Sequence, residues 1–149
     1  MPTRKYREIT PRQSVQIECA RRGEAEVVAG CVALLRWQEV DDDLILALGC
    51  GTGEIVLNDG PRQANQYWRR VWGARGLLYA WDETGDAAAA IIEALSDQHW
   101  RVREMAAKVI AKRKVGAALE AVAQLQDDPV PRVRAASHRA TVILTASGS

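Results

Sequence analysis

Gly49, Gly51 and Gly53 stand two residues apart, with Cys50 and Thr52 between them, directly behind the apolar run Leu44, Ile45, Leu46, Ala47 and Leu48. Glycine at that spacing lets a backbone turn sharply and approach a phosphate or cofactor, because no Cβ stands in the way. The other reactive side chains point away from catalysis. Cys19, Cys31 and Cys50 are odd in number and form no CxxC pair, so a disulfide framework and a zinc site both lack their spacing. Cys31 falls on an apolar helical stripe, where a thiol acts as a small hydrophobe. His99 and His138 have no ligand spacing and no Cys or carboxylate cluster around them, so neither a metal nor a general-base role is expected. No paired carboxylates share a face, and no Ser–His–Asp set can be assembled. The expectation is no catalytic residue, no metal and no cofactor.

The cations carry a clearer pattern. Asp97, Arg101, Val102 and Arg103 match Asp128, Arg132, Val133 and Arg134 at an offset of 31 residues. A self-match of that period marks one supersecondary unit copied along the chain. Lys108 and Arg139 are equivalent at the same offset. Residues seven apart share a helix face, so Arg101, Lys108, Arg132 and Arg139 form a basic stripe, with Arg70 as an extension one offset earlier. Arg101 and Arg132 oppose the dipole of the helices they open, by about 0.3–1 kcal/mol when exposed, and both copies keep one there. The alternative is a solvated face in which Glu104 and Lys108 pair at i,i+4 spacing. Five tryptophans, at 37, 68, 72, 81 and 100, are dense for a chain without Phe. Trp81 is read as core. Trp68 and Trp72, one turn apart, either cover the join to the repeats or anchor a partner, since Trp and Arg dominate hot spots.

The elements that must position these residues read as helices throughout. Pro11 opens a helix with Val15, Cys19 and Arg22 on one side, and Gly23 breaks it. Val27, Val28, Cys31, Val32, Leu34 and Leu35 recur at helical spacing, behind Glu24 and Glu26 in a first turn that favours acid. Asp41 or Asp42 caps a short helix over 44–48. Residues 49–60 are the least regular stretch. A long helix is predicted over 66–81, with Tyr67, Val71, Ala74, Leu78 and Trp81 on one face. Four more follow: 86–95, 100–112, 115–125 after a basic connection at 112–114, and one from about 129–131 to 145. Residues 1–10 read as a frayed arm and 147–149 as a tail.

The turn Asp followed by a helix opening on Val-Arg resembles HEAT repeats, in particular the short bacterial kind related to phycobilin-lyase repeats. The likeness covers 86–145 as two clear repeats. Over 54–83 it is partial: Arg70 and Val71 fit, while Trp72 stands for the Arg and Gln66 for the turn Asp. Residues 11–83 are therefore degenerate repeats or capping helices of one HEAT-like domain spanning 1–149. The resemblance implies an all-α, right-handed α-solenoid with the second helices on the concave side. It also implies that Arg103 and Arg134 bond the turn Asp97 and Asp128, of their own or the neighbouring repeat, in a ladder.

The glycine turn at 49–53 resembles the first motif of class I methyltransferases. Against that reading, Ala47 stands where an acidic residue is expected, no second strand ending in an acid follows, and the repeats leave no chain for a doubly wound sheet. An inter-helix connection is the competing expectation. The whole-chain charge of +1 gives no general pull toward nucleic acid or anionic lipid. It is uneven, however: residues 1–60 hold seven Lys and Arg against ten Asp and Glu, and residues 61–149 hold thirteen against nine. No run is long enough to span a membrane, residues 1–12 show no secretory pattern, and the cysteine usage fits a reducing cytoplasm. The Arg bias over Lys, sixteen to four, fits a GC-rich bacterial genome. The function expected is a non-enzymatic protein–protein interaction scaffold using the concave face. Nucleic-acid binding by the same stripe is the alternative, and a methyltransferase-like enzyme a third.

Overall fold

The computed structural model describes residues 9–58, 64–83 and 85–147. Most of the expected arm, residues 59–63, Thr84 and the end of the tail lie outside them. Among the described residues every regular element is helical, and none is a strand. The chain divides into two compact units, Met1–Ala87 and Ala88–Ser149.

In the first unit, α1 (Pro11–Arg22) begins on a reciprocal cap. Thr10 Oγ1 accepts the Gln13 N–H at 3.1 Å, and Gln13 Oε1 accepts the Thr10 N–H at 2.9 Å. Pro11, with no N–H to lose, fits the first position. Gly23, at φ +97°, ends α1 and admits α2 (Glu24–Leu35) directly after it. The predicted face of α2 is the buried one: Val27, Val28, Cys31, Val32, Leu34 and Leu35. α3 (Asp42–Gly49) starts from Asp41, whose carboxylate accepts the Leu44 N–H at 2.8 Å. A short α4 (Glu54–Asn58) and a 3-10 turn (Ala64–Gln66) lead to α5 (Tyr67–Gly76). α5 packs on α2 and α3, and α1 on α2 and α3. Gly76 makes the α2–α5 approach possible, since a Cβ there would stand 2.6 Å from Cys31 Sγ.

Several expectations need correction here. α5 ends at Gly76 instead of reaching 81, because Leu77, Leu78 and Tyr79 take i→i−3 bonds that tighten and close the helix. Trp81 therefore lies beyond it and is half-buried, its Nε1 donating to Glu83 at 3.1 Å. Trp72 fills the core in its place, at 2% exposure, with its ring against Gly49. α1 buries Ser14, Val15 and Glu18 rather than Cys19 and Arg22. Glu18 stays charged by pairing with Arg21 and Arg22.

In the second unit, α6 (Ala87–Ala94) buries Ala90, Ile91 and Ala94. α7 (Trp100–Arg113) is capped by His99, whose Nδ1 accepts the Arg101 N–H at 3.2 Å. It runs through the basic residues expected as a connection. Lys112 and Arg113 form its last turn, where the dipole favours them, and Lys114 closes it at φ +53°. The next helix is broken into a 3-10 turn (Gly116–Ala118), α8 (Leu119–Gln124) and a second 3-10 turn (Leu125–Asp127). α9 (Pro131–Ser147) is the longest and packs along α7 and α8. Val102, Val109, Ile110, Val122, Val133 and Leu144 are buried, each fully buried aliphatic stabilising by about 1.5–3 kcal/mol.

Candidate interaction groove

Asp97 and Asp128 occupy the turns before α7 and α9, where their carboxylates hold the chain in position. Asp97 Oδ1 accepts the His99 N–H and Asp128 Oδ1 the Val130 N–H, at 2.8 and 2.9 Å. Arg103 then spans the two turns. Its Nη1 donates to the Asp97 carbonyl at 2.9 Å, while Nε and Nη2 grip the Asp128 carboxylate at 2.8 and 3.2 Å. This two-pronged geometry is what the planar guanidinium provides. Arg134 repeats only the first half, donating to the carbonyls of Asp128 and Pro129 at 2.8 and 3.3 Å. Burial alone would raise the Asp128 carboxyl. The Arg103 hydrogen bonds, the Val130 N–H and the charges of Arg103 and Arg134 outweigh it and hold the pKa below the usual carboxylate value.

The faces of α7 and α9 bearing the cations meet along a groove of about 500 Å³. Lys108, Lys112, Arg132 and Arg139 line it, over a floor of Ala111, Ala135, Ala136 and Ile143. Glu104, 8% exposed, organises this wall. Its Oε2 accepts from Arg132 Nε at 2.9 Å and lies 3.7 Å from Lys108 Nζ. Trp100 gathers the remaining charge, with Arg101 and Arg132 over its ring at 4.6 and 5.4 Å. The second unit thus collects Arg101, Lys108, Arg132 and Arg139 into one neighbourhood. Arg139 makes no ion pair among the described residues.

Trp100, Glu104 and the capping His99 were not singled out from the sequence as parts of a site. Their positions one offset later hold Pro131, Ala135 and Val130, so a comparison of repeats passes over them. Trp100 was signalled only by lying next to Arg101 at the helix start.

The first unit holds the other predicted partner-binding residues. Arg70 is 4% exposed, its guanidinium 3.5 Å from the centre of the Trp37 ring. Trp68 is half-buried and stacks on Tyr67 and Trp72. Burial keeps Arg70 and Trp72 from serving as surface anchors. They are structural because α5 turns that side toward α2 and α3. The glycine turn is also structural. Cys50 and Gly51 take φ +47° and +93° to reverse the chain between α3 and α4, Thr52 Oγ1 donates to the Gly49 carbonyl at 2.6 Å, and a Cβ on Gly53 would stand 2.8 Å from the Ile45 carbonyl oxygen. A helix precedes this turn where the methyltransferase motif needs a strand.

Among the described residues, no group of three His, Cys, Asp or Glu is placed to hold a metal ion, and no helix is long and apolar enough to cross a membrane. The protein family described as HEAT repeats matches residues 63–141. No curated protein and no solved structure matches the chain.

Proposed function

Because the chain belongs to the HEAT-repeat family, whose members are commonly protein-interaction scaffolds, we propose that it is a non-enzymatic scaffold binding another protein. In this reading α7 and α9 are the second helices of two HEAT-like hairpins in the second unit, and the partner binds along their shared face. The likeness to short bacterial repeats and a cytoplasmic setting belong to the same reading. One observation carries it: Glu104 holds Lys108 and Arg132 on a groove lined by small and aliphatic side chains, with Arg101 beside Arg132 over the Trp100 ring.

Nucleic-acid binding is the second reading, resting on the same stripe. It is disfavoured by the near-neutral chain and by Glu104, which already takes up charge from Arg132 and Lys108. The test is affinity capture from the native cell with the wild-type chain and with Arg101→Glu/Arg132→Glu. A partner protein held by the former and lost by the latter is expected. Nanomolar binding of duplex or single-stranded DNA, steeply weakened by salt and lost on the same reversal, would replace the scaffold reading with its alternative.

A further inference from the structure

Resting on the interaction reading above and sharpening it, we propose that the α7–α9 groove takes an acidic peptide segment of the partner protein. The partner's carboxylates sit on the basic rim and an apolar side chain on the alanine floor. Charge and shape both select this occupant. Lys108, Lys112, Arg132 and Arg139 contribute four cations and Glu104 one anion to the lining. The exposed Arg139 has no ion pair among the described residues. Arg132 and Arg139, seven residues apart on one face, are spaced about 10 Å along the axis, so two carboxylates at that separation meet both. The lining on α9 runs from Arg132 to Ile143, about 16 Å of helix, the length of about five residues of extended chain.

The floor distinguishes a peptide from a phosphate backbone. Ala111, Ala135 and Ala136 are small and Ile143 is aliphatic, so the floor accepts a side chain and offers no ring on which a base could stack. Glu104 sits among the cations, 2.9 Å from Arg132 and 3.7 Å from Lys108. It would oppose a continuous line of phosphates while leaving Arg139 and the outer nitrogens of Arg132, whose Nε alone bonds Glu104, to discrete carboxylates.

The experiment is fluorescence anisotropy on the full chain with four labelled probes: a short peptide of alternating Asp, Glu and Leu, its Asn and Gln counterpart, a poly-Glu peptide, and a short single-stranded DNA. The acidic Leu-containing peptide is expected to bind best. Arg139→Glu, which breaks no ion pair among the described residues, and Ala135→Trp, which fills the groove without changing charge, should each weaken binding by about tenfold, with thermal melting unchanged. The inference is overturned if the first peptide does not bind, if the neutral peptide or poly-Glu binds equally well, if DNA binds better, or if Ala135→Trp leaves affinity intact. It is overturned too if sedimentation shows that the occupant is the acidic run Glu39, Asp41, Asp42 and Asp43 of a second copy. A partner that is still captured and still lost on Arg101/Arg132 reversal, with no peptide binding, would sink this inference alone. Loss of that capture would sink the scaffold reading itself.

Discussion

Replacing Arg103 by alanine removes three hydrogen bonds at once, two to the Asp128 carboxylate and one to the Asp97 carbonyl. The Asp128 side chain is only 5% exposed and that of Arg103 14%, so water cannot readily replace the lost partner. Breaking a buried pair costs about 3–5 kcal/mol. Asp128 keeps its Val130 N–H bond, and the residual exposure of Arg103 discounts the figure to about 2–4 kcal/mol. At about 2–4 °C per kcal/mol for a chain of this size, melting followed by circular dichroism should fall by roughly 4–16 °C. Arg103→Lys keeps the charge but loses the fork, and should cost about 1–2 kcal/mol. Arg134, at the equivalent position of the repeat, faces only backbone carbonyls and is exposed, so Arg134→Ala should cost about 1 kcal/mol or less. Asp128→Asn combined with Arg103→Ala should show a coupling of about 1–2 kcal/mol. Equal shifts for Arg103→Ala and Arg134→Ala, or zero coupling, would refute the argument.

Other outcomes follow from the same structure. Asp41 is held at about 2, first by its Arg22 hydrogen bonds, and Glu18 and Asp128 are lowered because their arginine partners outweigh burial. Groups depressed in the folded state stabilise it above their unfolded pKa values, near 4. Melting temperature should therefore be level above about pH 5 and drop progressively toward pH 2; a flat profile down to pH 3 would contradict this. Gly53→Ala places a Cβ 2.8 Å from the Ile45 carbonyl oxygen and should destabilise by about 1–3 kcal/mol, whereas Gly116→Ala meets nothing within 4 Å and should be neutral or mildly stabilising. Burial pushes the Cys31 thiol up to about 12, so a thiol reagent should modify Cys19 and Cys50 in the native protein and reach Cys31 only on unfolding. Three fast thiols in native buffer would count against the described core.

The helical class, the buried face of α2 and the register of Asp97, Arg103, Asp128 and Arg134 were legible because each leaves a periodic trace. Single residues without a copy left none. Trp100 and Glu104 gain their meaning only when α9 brings Arg132 against them. Trp72 and Trp81 exchanged roles because the end of α5 depends on a 3-10 closure after Gly76 that apolar spacing does not report. The direction of the Asp–Arg contact was equally hidden. Both arginines have a turn Asp six residues upstream, yet Arg103 reaches forward to the carboxylate of the following turn while using only the carbonyl of its own.

That forward reach gives the repeats a growth polarity. Arg103 anchors itself with one nitrogen and gives the rest of its fork to the turn that follows, so here the donor precedes its acceptor along the chain. Arg134, fastened to carbonyls and exposed, is in the donor's position. A repeat grafted behind α9 would need little more than an aspartate at the equivalent turn to latch onto it. The same asymmetry makes the Arg103 fork a plug and the turn before α9 its socket.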